Sequence, residues 1–279
     1  FANGIASDDT LRRFFRSIDS DKFAQMFVKW TESLSVNIAQ NVIAIDGKTS
    51  RRSHDGAVGA LHLVSAFASE ARLVLGQVKT AEKSNEITAI PELLNLLDIR
   101  KSIVTIDAMG CQKEIAQLIT NKNADYILAL KGNQGSLHED VKLFFEDKEL
   151  QKTCEKYEQT DGGHDRIEVR TCKVTDDIDW LKSRHSWAGL RSIIAITSNG
   201  ERGKKPFVET RYYISSLSAN AKVSLDAIRS HWGIENSLHW VLDMSFNEDQ
   251  SRIRKENAPQ NMAVVKHVAL NMLRLAQKK

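Results

Sequence analysis

Apolar residues return at helical spacing through the first forty positions: Leu11, Phe14 and Phe15, then Phe23, Met26, Phe27 and Trp30. Steps of three and four trace one face of a helix, so the spacing predicts two helices. Asp8 or Asp9 is the expected cap of the first, and the aromatic stripe of the second is expected to be core. The pattern then changes. Val42, Ile43, Ala44 and Ile45 form a short β-branched run closed by Asp46 and Gly47, the signature of a buried strand. Leu61 to Phe67 and Leu73 to Val78 follow as two further strands at hairpin spacing. Ser84 is the expected cap of a helix carrying Ile87, Ile90, Leu93, Leu94 and Leu97, with Pro91 as a kink. Ile103 to Ile106 is again an apolar run closed by an acid, Asp107. Ile115, Leu118 and Ile119 then mark a helix, and Tyr126 to Leu130 a strand. The order β-β-β-α-β-α-β predicts a mixed sheet covered by helices.

From about Gln134 to Asn220 the periodicity loosens. Strand-like runs at Ile167 to Val174, Ile193 to Thr197 and Arg211 to Ile214 are separated by Gly162, Gly163 and Gly200. They predict a β-rich insertion emerging from the core sheet. Helical text resumes from Val223 to Trp240 and from Asn261 to Leu275. The expected organisation is a helical segment over 1–40 and one α/β domain over 41–279, interrupted at about 134–220.

Composition narrows the class. With 279 residues, 42% hydrophobic and 27% charged, the chain is an ordinary globular one, which excludes collagen-like, disordered and disulfide-scaffold readings. Cys111, Cys154 and Cys172 are odd in number and form no C-x-x-C pair, which argues against structural zinc and for a reducing cytosol. No apolar run reaches the roughly 18 residues of a membrane span. The chain opens at Phe1 rather than Met, so part of an N-terminal region is expected to be missing. The net charge of +3 decides little, but its distribution does more. After Ser251 come seven basic residues (Arg252, Arg254, Lys255, Lys266, Arg274, Lys278, Lys279) against one acid, Glu256. Lys48, Arg51, Arg52 and His54 form a second cluster. Such clusters are either solvated faces or phosphate contacts.

Familiar motifs fail one by one. Gly47-Lys48-Thr49 resembles the end of a phosphate-binding loop, but the glycine needed five residues earlier is Val42. Dinucleotide, H-E-x-x-H and G-x-S-x-G patterns are absent. Three acids remain. Asp46 and Asp107 each close an apolar strand, where a carboxylate is costly unless paired or bound to a cation. Glu235 lies on a predicted helix, 128 residues beyond Asp107, which itself follows Asp46 by 61. Carboxylates gathered from neighbouring strands and a helix suit hard divalent ions, and two such ions about 3.5–4 Å apart drive phosphodiester chemistry. The competing reading makes the strand-end aspartates turn formers.

Four stretches resolve the choice: Val42 to Lys48, Thr105 to Met109, Asp125 to Gln134, and His231 to Trp240 continuing through Asp243 to Asp249. In this order they resemble the DDE transposases of bacterial insertion sequences, in the H-repeat-associated (ISAs-type) branch, over nearly the whole chain. The resemblance implies a ribonuclease-H-like α/β fold with the β-rich insertion between the second and third acids. It implies a catalytic, metal-binding triad of Asp46, Asp107 and Glu235 holding two Mg²⁺ ions, with Mn²⁺ able to substitute. The implied partners are double-stranded DNA with terminal inverted repeats, target DNA and a second copy of the chain on DNA, in the bacterial cytoplasm at the nucleoid. Expected DNA contacts are Lys48, Arg51, Arg52, Lys131, Asn133, Gln134, Arg229, His231, His239, Arg252, Arg254 and Lys255. The wider superfamily's Tyr, Arg, Glu and Lys around the third acid fall here on Ile228, His231, Glu235 and Leu242, so only the Glu is kept. Arg229, His231 or His239 is expected to supply the phosphate contacts of the missing pair. Asp243, Glu248 and Asp249 are outer groups of the site or simply solvated. Trp187 is core, or alternatively a base-stacking residue. The alternatives in function are a nuclease of the same fold that does not join strands, and a DNA-binding derivative without catalysis.

Overall fold

A computed structural model describes residues 4–34, 41–54, 59–80, 86–163, 166–202 and 205–277. The predicted cap Ser84 and the basic residues Lys278 and Lys279 lie outside them. The chain divides into two compact units, one of 1–98 with 232–279 and one of 99–231.

The first unit opens with α1 (Asp8–Ser17) and α2 (Ser20–Ser33). Ser7, not Asp8 or Asp9, caps α1, its hydroxyl accepting from the Thr10 amide, while the two aspartates occupy the first turn and face the positive end of the helix. Helix α1 buries none of its residues, and Phe14 stays exposed. Helix α2 follows its predicted stripe at three of four positions: Phe27 is buried, with Phe23 and Trp30 packed at the margin of the same cluster, whereas Met26 points to solvent. Strands β1 (Val42–Thr49), β2 (His62–Ala68) and β3 (Leu73–Thr80) are antiparallel, with Asp46 opposite Ser65. Helix α3 (Glu86–Leu96) runs through Pro91. Ala44, Phe67 and Val74 from the strands meet Ala24, Ile234, Leu238, Leu242, Val264 and Leu270 in one buried cluster. The last two of these come from α9 (Ala258–Gln277). Asn271 of α9 accepts from the Val74 amide (2.9 Å) and donates to the Val74 carbonyl (2.8 Å), which satisfies the open edge of β3.

The second unit places β4 (Ile103–Ile106) parallel to β5 (Asp125–Leu130), joined by α4 (Lys113–Asn121). Helix α5 (Gly135–Glu146) leads into β6 (Glu155–Gly163) and β7 (Arg166–Thr175), and the short α6 (Asp179–Lys182) into β8 (Ser192–Arg202) and β9 (Lys205–Ser215). These four strands form an antiparallel meander whose last member, β9, pairs with β5. Its far edge is β6, bonded on one side only among the described residues and carrying Glu155, Lys156, Glu158 and Asp161. Trp187 is buried, which removes the base-stacking alternative for it. The predicted order β-β-β-α-β-α-β therefore runs from Val42 to Leu130, and four more strands stand between Asp107 and Glu235. The fold is of the mixed α/β class, its sheet strands flanked by helices. Helix α7 (Ala221–Ile234), a π turn (Glu235–His239) and α8 (Trp240–Met244) follow, with the division between units at His231 and Trp232.

Candidate active site

Alternation along β1 puts Asp46 and Lys48 on one side of the strand and Gly47 and Thr49 on the other. The second side is packed against a buried polar chain. Glu86 Oε1 lies 2.6 Å from His62 Nε2, and His62 Nδ1 lies 2.7 Å from Thr49 Oγ1. A Cβ at position 47 would stand 2.3 Å from Glu86 Oε1 and 2.7 Å from His62 Nε2, so the carboxylate rests directly on Gly47.

On the other side of β1, Asp46 meets the π turn. His239 Nδ1 is 3.5 Å from Asp46 Oδ2 and 3.4 Å from Glu235 Oε2. One donor atom from each of the three residues falls within 4.8 Å of the others. A π turn is one residue wider than an α turn and leaves carbonyls unsatisfied. Arg274 of α9 answers this by donating to the Ser237 carbonyl inside the turn and to the Arg72 carbonyl. Leu238 and Leu242 anchor the same stretch in the core cluster. The His239 side chain is 7% exposed, against 18% for Asp46 and 49% for Glu235.

Burial pushes the Asp46 carboxyl up to about 7; His239 opposes that rise and the Glu235 charge adds to it. Glu235 moves the other way, held down chiefly by the His239 ring beside it, with Asp46 and Lys48 contributing. Of the two acids, Asp46, the more buried, is therefore the one that holds a proton more readily. Two carboxylates and an imidazole in this relation can hold a divalent cation, which would replace that proton as the charge that reconciles them. Lys48 is turned from this cluster toward two further acids. Its Nζ lies 2.7 Å from Asp243 Oδ1 and 3.6 Å from Asp249 Oδ1.

A sequence model of the transposase DDE domain matches residues 38–272, a span that holds Asp46, Asp107, Glu235, Asp243 and Asp249. The chain belongs to the DDE transposases. The Escherichia coli O157:H7 protein "Putative transposase YncI" is 47% identical over 98% of this chain and 72% of its own length. "H repeat-associated putative transposase YhhI" of E. coli K12 is 43% identical over 98% of this chain and 74% of its own. Among solved structures, the piggyBac transposase synaptic complex with hairpin DNA aligns with 98% of this chain at 11% identity and a TM-score of 0.49, a likeness too slight to build on. This chain spans about half (56%) of that one.

The second unit of the transposase carries Asp107 in the turn after β4. Its Oδ1 accepts from the amides of Met109 (2.9 Å) and Gly110 (3.3 Å), so the turn-forming reading holds for that oxygen. Asn133 donates to the Ala108 carbonyl (2.6 Å) and Gln134 to the Cys111 carbonyl (2.7 Å). Both side chains brace the Asp107 turn. His231 Nδ1 is 3.0 Å from Thr105 Oγ1, two residues before Asp107. Arg229 pairs with Asp161 at 2.9 Å. Lys131, at the end of β5, is exposed.

In the first unit, Arg51, Arg52, Arg252 and Lys255 are exposed, with Arg51 3.4 Å from Asp249. Arg254 is half-buried and donates to the Arg52 carbonyl (2.9 Å). Asp243, Glu248 and Asp249 are not merely solvated, because Lys48 and Arg51 engage the two aspartates and Lys266 meets the buried Glu248 at 3.3 Å. Sequence reasoning passed over His62 and Glu86 entirely. Two polar residues at strand and helix starts, 24 positions apart, give no spacing signal. It also passed over Trp232 and Trp240, which flank Glu235 and are 48% and 60% exposed. Among the described residues, no helix is long and apolar enough to cross a membrane.

Proposed function

We propose that this transposase cuts DNA at the ends of an insertion element and joins the freed 3′-ends to target DNA. Each step is an in-line attack on a phosphodiester, first by water and then by a 3′-hydroxyl, with no covalent enzyme intermediate. The observation that carries the reading is the convergence of Asp46 and Glu235, distant in sequence, with His239 inside a matched DDE domain. Asp46, Asp107 and Glu235 are the carboxylates assigned to two Mg²⁺ ions, which Mn²⁺ can replace. Bound divalent ions activate the attacking oxygen and stabilise the leaving one. Asp107 keeps one oxygen for this role, since its Oδ1 is occupied by the Met109 and Gly110 amides. Lys48 helps keep Glu235 ionised. The exposed Arg51, Arg52, Arg252 and Lys255 contact phosphates of the terminal repeats and target, positioning DNA rather than reading it. Lys131 has the same role in the second unit, and pairing of two ends calls for a homodimer on DNA in the bacterial cytoplasm.

The test is incubation of the protein with labelled DNA carrying element ends, target DNA and Mg²⁺. The reading expects nicking at the ends followed by joined products. Cleavage without joining would make the chain a nuclease, and binding alone a non-catalytic derivative. Asp46→Asn, Asp107→Asn and Glu235→Gln should each abolish cleavage while DNA affinity stays within about twofold, because an amide keeps the shape and removes the charge. A variant that still cleaves removes its residue from the triad.

A further inference from the structure

We infer that His239 is itself a ligand of the cation held by Asp46 and Glu235, so that this part of the site offers one nitrogen beside its oxygens. The inference rests on the metal reading above and deepens it. Donor atoms that share one ion at about 2.0–2.2 Å stand roughly 3–4 Å apart. The Nδ1 separations of 3.5 Å from Asp46 Oδ2 and 3.4 Å from Glu235 Oε2 fall in that range. They are long for hydrogen bonds between an imidazole and a carboxylate, which close to about 2.7–2.9 Å when charge assists them.

The ring is also committed by its surroundings. It is more than nine-tenths buried, with Nδ1 facing both carboxylates and Nε2 lacking any hydrogen-bond partner among the described residues. Nδ1 is therefore the ring nitrogen placed to meet an ion shared with the two carboxylates. The i, i+4 spacing sets Glu235 and His239 on one side of the helix, and Arg274 donates to the Ser237 carbonyl within the same stretch. An imidazole in place of a third carboxylate moves the preference of a site from hard Mg²⁺ toward borderline ions such as Mn²⁺ and Co²⁺. The position is therefore expected to accept Mg²⁺ but to hold Mn²⁺ more tightly.

The test uses the full chain and Mn²⁺ alone, with no DNA. Titration by electron paramagnetic resonance gives the affinity, and electron spin echo modulation reports nitrogen bound to the ion. Wild type should show one strongly coupled imidazole ¹⁴N, converted to a ¹⁵N pattern when the protein is labelled with ¹⁵N-histidine. His239→Ala should lose that coupling and bind Mn²⁺ at least tenfold more weakly, with an unchanged circular dichroism spectrum. His239→Asp should restore affinity without nitrogen coupling and shift the Mg²⁺-to-Mn²⁺ preference toward Mg²⁺. Mn²⁺ binding that depends on Asp46 and Glu235 but shows no nitrogen coupling in wild type overturns the inference and leaves the metal reading standing. Absence of any Mn²⁺ binding up to millimolar concentration overturns both.

Discussion

Gly47 shows how one side chain fewer shapes a site. Glu86 and His62 fill the place where its Cβ would stand, so Gly47→Ala must push β1 off the buried polar chain or break the Glu86–His62 contact. The expected cost is about 1–3 kcal/mol in urea unfolding, typical of an overpacked core. A loss of Mn²⁺ affinity should accompany it, since Asp46 is the next residue. His267 makes a second case. It is wholly buried on α9 beside Phe27, with ring centroids 6.2 Å apart, and its Nδ1 has no partner among the described residues. Burial, with the charges of His239, Lys266 and Arg274, pushes its pKa down to about 3. The unfolded chain binds a proton there near pH 6.5 and the folded chain does not, so this residue's stabilisation is complete above pH 6.5 and is lost as pH falls toward 3. His267→Gln should make the stability-versus-pH curve shallower between pH 6 and 4 by up to about 1.4 kcal/mol per pH unit, measured by urea unfolding without metal. An unchanged slope would mean that the ring gains a partner on protonation.

At the scale of elements, Asn133 and Gln134 decide between two roles. Read from sequence they are phosphate contacts, and in the structure they hold the carbonyls of Ala108 and Cys111 in the Asp107 turn. Replacing both with Ala should cost about 1 kcal/mol each in stability and reduce cleavage, while DNA affinity at fixed salt stays unchanged. A fall in affinity with intact stability would return them to the phosphate. The strands were legible because β-branched runs closed by an acid leave few alternatives, and Val42–Thr49 and Ile103–Ile106 appear where the pattern puts them. Asp46 and Glu235 were legible through the text around them. The π turn was not. It is a shift of backbone hydrogen bonds with no residue signature; the i, i+4 spacing of Glu235 and His239 was visible, but nothing local showed that both would face Asp46. The Lys48–Asp243 pair was hidden for a different reason, because long-range charge pairing leaves no trace in local periodicity. The cap of α1 was misjudged by one residue, where three polar side chains stand in a row.

For the whole molecule, DNA binding should be dominated by charge and should weaken steeply with salt. Arg252 and Lys255 are exposed, whereas Arg254 is partly committed to the Arg52 carbonyl. Removing Arg252 and Lys255 together should flatten the slope of log affinity against log salt by about 2 units, and adding Arg254→Ala should change it little further. An unchanged slope for the double variant would make this cluster a solvated face. The outer strand β6 bears on the protein's fate when many copies are concentrated. An unpaired strand edge is a template on which another chain can add a strand, and the aggregates so built are hard to reverse. The text of β6 runs Glu155, Lys156, Tyr157, Glu158, Gln159, Thr160, Asp161, a charged edge of the kind that disfavours the addition of a second copy. The nine-residue edge can therefore stay open in a crowded cell without seeding a fibril.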